Sequence, residues 1–64
     1  MLVNGSEMSF GKEINVLELL AELKVNPDRV VVEVDMDIIP REQYETKKLS
    51  TDSKVEVISF VGGG

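Results

Sequence analysis

A chain of 64 residues, with 42% hydrophobic and 30% charged side chains, specifies one small domain and leaves no room for a second. It contains no cysteine and no histidine, which excludes a disulfide framework, a thiol nucleophile, a self-contained zinc site and a Ser-His-Asp arrangement. Twelve acidic residues against seven basic ones give a net charge of -5; this excludes the basic footprint of a nucleic-acid binder and favours a partner with a positive surface.

The first element is a hairpin. Asn4-Gly5 suits a type I′ turn, in which both central residues need positive φ, and it separates Met1-Leu2-Val3 from the alternating Glu7-Met8-Ser9-Phe10. The opening residues lack the basic and apolar regions of a secretory signal. No apolar run exceeds Val30-Val31-Val32 in length, far short of a bilayer span. A cytoplasmic protein without membrane association is expected.

One amphipathic helix follows, predicted from about Val16 to Lys24. Asn15 is placed as N-cap, with Glu18 three residues on to close a capping box. Ile14 and Leu19 occupy the positions of a hydrophobic staple. Val16, Leu19, Leu20 and Leu23 form the apolar stripe, and Leu17 and Ala21 widen it. Asn26 is expected to take a left-handed conformation beyond the helix end, where Pro27 cannot continue it.

From Val30 the pattern changes. Val30-Val31-Val32-Glu33-Val34 reads as a central strand, Asp35-Met36-Asp37 as a turn, and Ile38-Ile39 as a short return strand ended by Pro40. Arg41 to Tyr44 suit one helical turn, with the Tyr44 ring expected over the sheet edge. Ser50-Thr51-Asp52-Ser53 is a polar turn before the last strand, Val55 to Phe60. The element order β, β, α, β, β, β is that of an α+β domain in which a mixed sheet of four to five strands packs on one helix. This is the β-grasp (ubiquitin-like) arrangement, with its first and last strands adjacent and parallel.

No side-chain constellation stands out as catalytic, so no enzyme, no bound cofactor and no metal site is expected. Glu18 and Glu22 on the helix read as solvated charge, and Asp35 and Asp37 as turn residues with too few oxygens for calcium. The chemistry is expected at the end of the chain. The last strand leads through Val61 into Gly62-Gly63-Gly64, so residues 1–61 form the domain and 62–64 a mobile tail. Three extended residues reach about 10 Å, enough to carry a carboxylate into another protein's active site. That carboxylate is ionised and a poor electrophile, so it needs activation as a mixed anhydride. If Val55 and Val57 face the helix, Ile58 and Phe60 lie on the outer face as an apolar docking patch beside the tail.

Several stretches together resemble the ThiS family, sulfur carriers of thiamin thiazole synthesis. They are Asn4-Gly5, Val16-Leu17-Glu18-Leu19-Leu20, Ile38-Ile39-Pro40-Arg41-Glu42 with Tyr44, and Phe60-Val61-Gly62-Gly63-Gly64. The resemblance spans the whole chain, and its Ile-Pro-Arg stretch and triglycine ending are the specific parts. It implies a ThiF-like adenylyltransferase that activates Gly64 with ATP and magnesium. It also implies a sulfur donor such as a cysteine desulfurase or rhodanese-type protein, and a thiazole synthase, ThiG, that takes the sulfur. Gly64 then carries the thiocarboxylate, Gly62 and Gly63 thread the tail, and Ile58, Phe60 and Val61 meet the partner. The alternatives are a small subunit of molybdopterin synthase, a ubiquitin-like protein modifier and a pure interaction domain. The final sulfur acceptor is open at this stage.

Overall fold

The computed structural model describes residues 1–59. Its elements are β1 (Leu2–Val3), β2 (Ser6–Glu7), β3 (Ile14–Asn15), α1 (Val16–Leu23), β4 (Val30–Val34), β5 (Asp37–Ile39), β6 (Lys48–Leu49) and β7 (Lys54–Ser59). Two single 3-10 turns, Pro27–Arg29 and Arg41–Gln43, join them.

Five strands form one mixed sheet in the order β2-β1-β7-β4-β5. The first and last strands are parallel neighbours, Leu2 opposite Lys54 and Val3 opposite Val55, and every other pairing in this sheet is antiparallel. This is the β-grasp fold, as the element order implies. A second, two-stranded ladder, Ile14 opposite Leu49 and Asn15 opposite Lys48, was not predicted. Strands two residues long show no alternation from which to read them.

Alternation decides the two faces of the main sheet. Val30, Val32 and Val34 on β4, Val3 on β1, Val55 on β7 and Ile39 on β5 are buried, and they share a core with Val16, Leu19 and Leu20 of α1. The helix presents that stripe because its start is fixed. Asn15 Oδ1 accepts the Glu18 amide at 2.7 Å, and Glu18 Oε1 accepts the Asn15 amide at 2.9 Å, the reciprocal pair of a capping box. Ala21 is exposed, so the apolar face is narrower than expected.

The helix end departs from expectation. Lys24, not Asn26, takes the left-handed conformation, at φ 60° and ψ 40°. The Lys24 amide donates to the Ala21 carbonyl at 3.1 Å and the Val25 amide to the Leu20 carbonyl at 3.2 Å. These two bonds form a Schellman motif. Asn26 instead caps the next turn, its side chain accepting the Asp28 amide at 2.9 Å.

Two further expectations are corrected. The second strand ends at Glu7, and Met8 and Phe10 pack half-buried against the core. Tyr44 is not at the sheet edge but 2% exposed within the core, its hydroxyl donating to the Val30 carbonyl at 3.4 Å. Arg41 lies over the Tyr44 ring, 5.2 Å from its centroid, and pairs with Asp28 at 3.0 Å.

Candidate functional site

The candidate site is the end of β7 and the sheet face around it. β7 is the central strand, held by β1 on one side and by β4 on the other. The β4 ladder runs to the end of the strand, where Ser59 lies opposite Val30. The β1 ladder stops at Val3, and Asn4 takes over. Its amide donates to the Val55 carbonyl at 2.9 Å, and its side-chain oxygen accepts the Val57 amide at 2.7 Å. Asn4 can do this because the I′ turn is formed, with Asn4 at φ 51° and Gly5 at φ 84°. The last strand is therefore a stem clamped along its length up to the residue before Phe60.

Ile58 lies on the outer face, 52% exposed and opposite Val31, as the alternation predicts. Val55 is buried and Val57 half-buried on the helix side. Phe60, Val61, Gly62, Gly63 and Gly64 lie outside the described residues, and so does the boundary expected between a domain at 1–61 and a tail at 62–64.

The outer face holds more than the sequence suggested. Glu33 on β4 stands directly opposite Glu56 on β7, and on its other side opposite Ile38 of β5. Ile38 is 67% exposed, and Met36, at the tip of the β4–β5 hairpin, is 88% exposed. The signal for Glu33 and Ile38 was available in the alternation of each strand. The register that brings Glu33 against Glu56 was not, because β4 and β7 are twenty residues or more apart in sequence.

Among the described residues no group of three or more His, Cys, Asp or Glu side chains is arranged to hold a metal ion. No helix of the described residues is long and apolar enough to cross a membrane. A half-open groove of 630 Å³ lies between the exit of the first hairpin and the turn before β7, lined by Met8, Phe10, Gly11 and Leu49 among others. Its lining also includes Glu7, Ser9, Lys12, Glu13, Ser50 and Thr51.

The described elements define a small β-grasp domain, a five-stranded mixed sheet packed on one helix. The ThiS family model matches residues 1–64. The sulfur carrier protein ThiS of Bacillus subtilis is 32% identical over 63 residues, covering 97% of this chain and 96% of that protein. A crystal structure of the thiamine biosynthesis protein (ThiS) from Geobacter metallireducens superposes with a TM-score of 0.80 at 35% identity, covering 98% of this chain and 96% of that one. A thiazole synthase of Paramagnetospirillum magneticum is 34% identical over 64 residues, all of this chain but 20% of that protein's length. The chain belongs to the ThiS family of sulfur carriers, which are not themselves enzymes.

Proposed function

We propose that this protein carries sulfur as a thiocarboxylate on Gly64 for the synthesis of the thiamin thiazole. A ThiF-like adenylyltransferase activates the carboxylate: a carboxylate oxygen attacks the α-phosphorus of ATP bound with magnesium, and pyrophosphate leaves. The terminal sulfur of a persulfide on a cysteine desulfurase or rhodanese-type donor then attacks the acyl carbon and AMP departs, leaving an acyl disulfide; a second thiol attacks the donor-side sulfur, forms a disulfide with the donor's cysteine and releases the thiocarboxylate. The thiocarboxylate so formed delivers its sulfur to a thiazole synthase of the ThiG type. The carrier's own contribution is to hold the tail at a fixed root. Gly62 and Gly63 thread it through a narrow channel, and Ile58, Phe60 and Val61 dock beside that channel. ATP-dependent activation fits a cytoplasmic location.

The observation that supports this reading is the central, doubly clamped β7, which Phe60-Val61-Gly62-Gly63-Gly64 follow in the sequence. Choice of the thiazole synthase as acceptor is supported by the relative in Paramagnetospirillum magneticum, a thiazole synthase that contains a stretch similar to this whole chain. Mass spectrometry of the protein recovered from its own cell tests the proposal. The expected species has one oxygen of Gly64 replaced by sulfur, and removal of Gly64 abolishes it. Adducts on lysines in place of that species would assign the protein to the modifiers and overturn the reading.

A further inference from the structure

We propose that Asn4-Gly5 is a site of spontaneous covalent modification in the folded protein: the Asn4 side chain closes on the Gly5 nitrogen as a succinimide, and reopening of that ring as isoaspartate unties the first hairpin from β7. The site is independent of the sulfur chemistry proposed for Gly64.

Three asparagines occur in the chain, and their surroundings separate them. Asn15 precedes Val16, whose β-branch crowds the approach to its nitrogen, and Asn26 precedes Pro27, whose nitrogen has no proton to give up. Both are also held in place. Asn15 Oδ1 accepts the Glu18 amide at 2.7 Å and its Nδ2 donates to the Glu45 carbonyl at 3.1 Å, while Asn26 Oδ1 accepts the Asp28 amide at 2.9 Å. Asn4 precedes a glycine and is exposed, and among the described residues its side chain is held at one point, by Oδ1 on the Val57 amide. Apart from chain neighbours, no heavy atom lies within 4 Å of the place a Gly5 side chain would take, so the peptide between the two residues has room to turn.

The backbone is already part of the way to the ring. Closure holds ψ of Asn4 at about −120°, where the Gly5 nitrogen lies alongside the side-chain carbons, and with a positive φ this is the first central residue of a type II′ turn. Asn4 has that φ now, at 51°. Hairpins accept II′ turns as well as I′. Passage between the two flips the Asn4-Gly5 peptide and takes φ of Gly5 from 84° to about −80°, a change that glycine makes without strain. β1 and β2 therefore stay paired while the ring forms. The bond to Val57 does not survive, because Asn4 Cγ cannot face β7 and lie against the Gly5 nitrogen at once. Opening of that bond is the brake on the reaction.

No cofactor is needed. The Gly5 amide gives its proton to solvent base, its nitrogen bonds to Asn4 Cγ, and the bond from Cγ to Nδ2 breaks as ammonia leaves. Water then adds to one imide carbonyl. Cleavage at Cγ restores the backbone with an aspartate side chain, whose carboxylate still accepts the Val57 amide. Cleavage at the main-chain carbonyl sends the backbone through Cγ, lengthens the turn by one carbon and leaves the carboxylate as a branch. The acceptor for Val57 is then lost.

The test follows the full chain at physiological temperature and mildly alkaline pH by intact mass, peptide mapping and labelling with an isoaspartyl methyltransferase. Expected are a transient species lighter by about 17 Da and then a gain of about 1 Da, both within the peptide that contains Asn4. The rate should lie about tenfold or more below that of a synthetic peptide of residues 1–8, and Leu20→Ala should raise it towards the peptide's. In the isoaspartate form, separated by ion exchange, amide exchange at Val57 should accelerate by about tenfold, the scale of one lost bond. Asn4→Asp, which keeps the acceptor, should leave that exchange unchanged. Modification at Asn15 or Asn26 in place of Asn4 would overturn the inference. So would modification in urea that is absent from the folded chain, a folded-state rate equal to the peptide's, or isoaspartate that leaves exchange at Val57 as it was. The sulfur-carrier reading of Gly64 stands or falls separately.

Discussion

The side-chain oxygen of Asn4 accepts the backbone amide of Val57 at 2.7 Å, tying the turn of the first hairpin to the last strand of the sheet across 53 positions of sequence. One residue thus forms a turn and also ends a ladder. Its two duties separate by substitution. Asn4→Gly keeps a turn that tolerates positive φ but loses the bond, and is expected to cost about 1 kcal/mol. Asn4→Ala also strains the turn and is expected to cost about 2 kcal/mol. Urea denaturation measures both, and amide exchange at Val57 should accelerate in each.

The left-handed Lys24 makes a prediction of the opposite sign. A side chain in this conformation crowds its own backbone, and glycine does not. Lys24→Gly should therefore stabilise the domain by roughly 0.5–1 kcal/mol, the scale of backbone effects at compatible sites. The gain should appear as a higher denaturant midpoint with an unchanged slope. A loss of stability would mean that the Schellman geometry at Ala21 and Leu20 depends on the lysine side chain.

Ile58 and Leu20 test which apolar residues hold the fold. Leu20 is fully buried, and Leu20→Ala is expected to cost about 2–5 kcal/mol, enough to unfold much of a domain this small. Ile58 is on the outer face, and Ile58→Asp should leave the circular dichroism spectrum and unfolding midpoint nearly unchanged while weakening adenylyltransferase binding. Unfolding of Ile58→Asp would return that residue to the core.

The helix start tests the capping arrangement. Asn15→Ala removes the acceptor of the Glu18 amide and should cost about 1 kcal/mol, read from the same denaturation curves.

What was legible in the sequence was what local chemistry controls. Asn4-Gly5, the Asn15 and Glu18 capping box, the valines of β4 and the period of β7 each act through neighbours a few residues away, and each is found as expected. Those elements gave the two-layer architecture, because a single apolar helix stripe needs a sheet to bury it; the adjacent, parallel first and last strands were an expectation of the fold, and the sheet has them so. The readings that failed depend on competition between near-equivalent residues. Asn26 is the better left-handed residue in isolation, but the carbonyls of Leu20 and Ala21 select whichever position ends the helix, and that is Lys24. Tyr44 has a polar end that suits an edge, but the Val30 carbonyl satisfies its hydroxyl inside the core. The opposition of Glu33 and Glu56 is a matter of register between distant strands, which no local pattern encodes.

The position of β7 also has a consequence for the order in which the chain can assemble. Without it the sheet falls into two separate hairpins, β1 with β2 and β4 with β5, because among the described residues β7 is the one strand that joins them. The sheet can close only once synthesis has passed β7, and each contact that closes it spans a long stretch of chain. A chain interrupted before Lys54 therefore lacks the strand on which the closed sheet depends. Closure of the sheet is thus the last step that these strands allow, and it joins two hairpins that have no other shared ladder among the described residues.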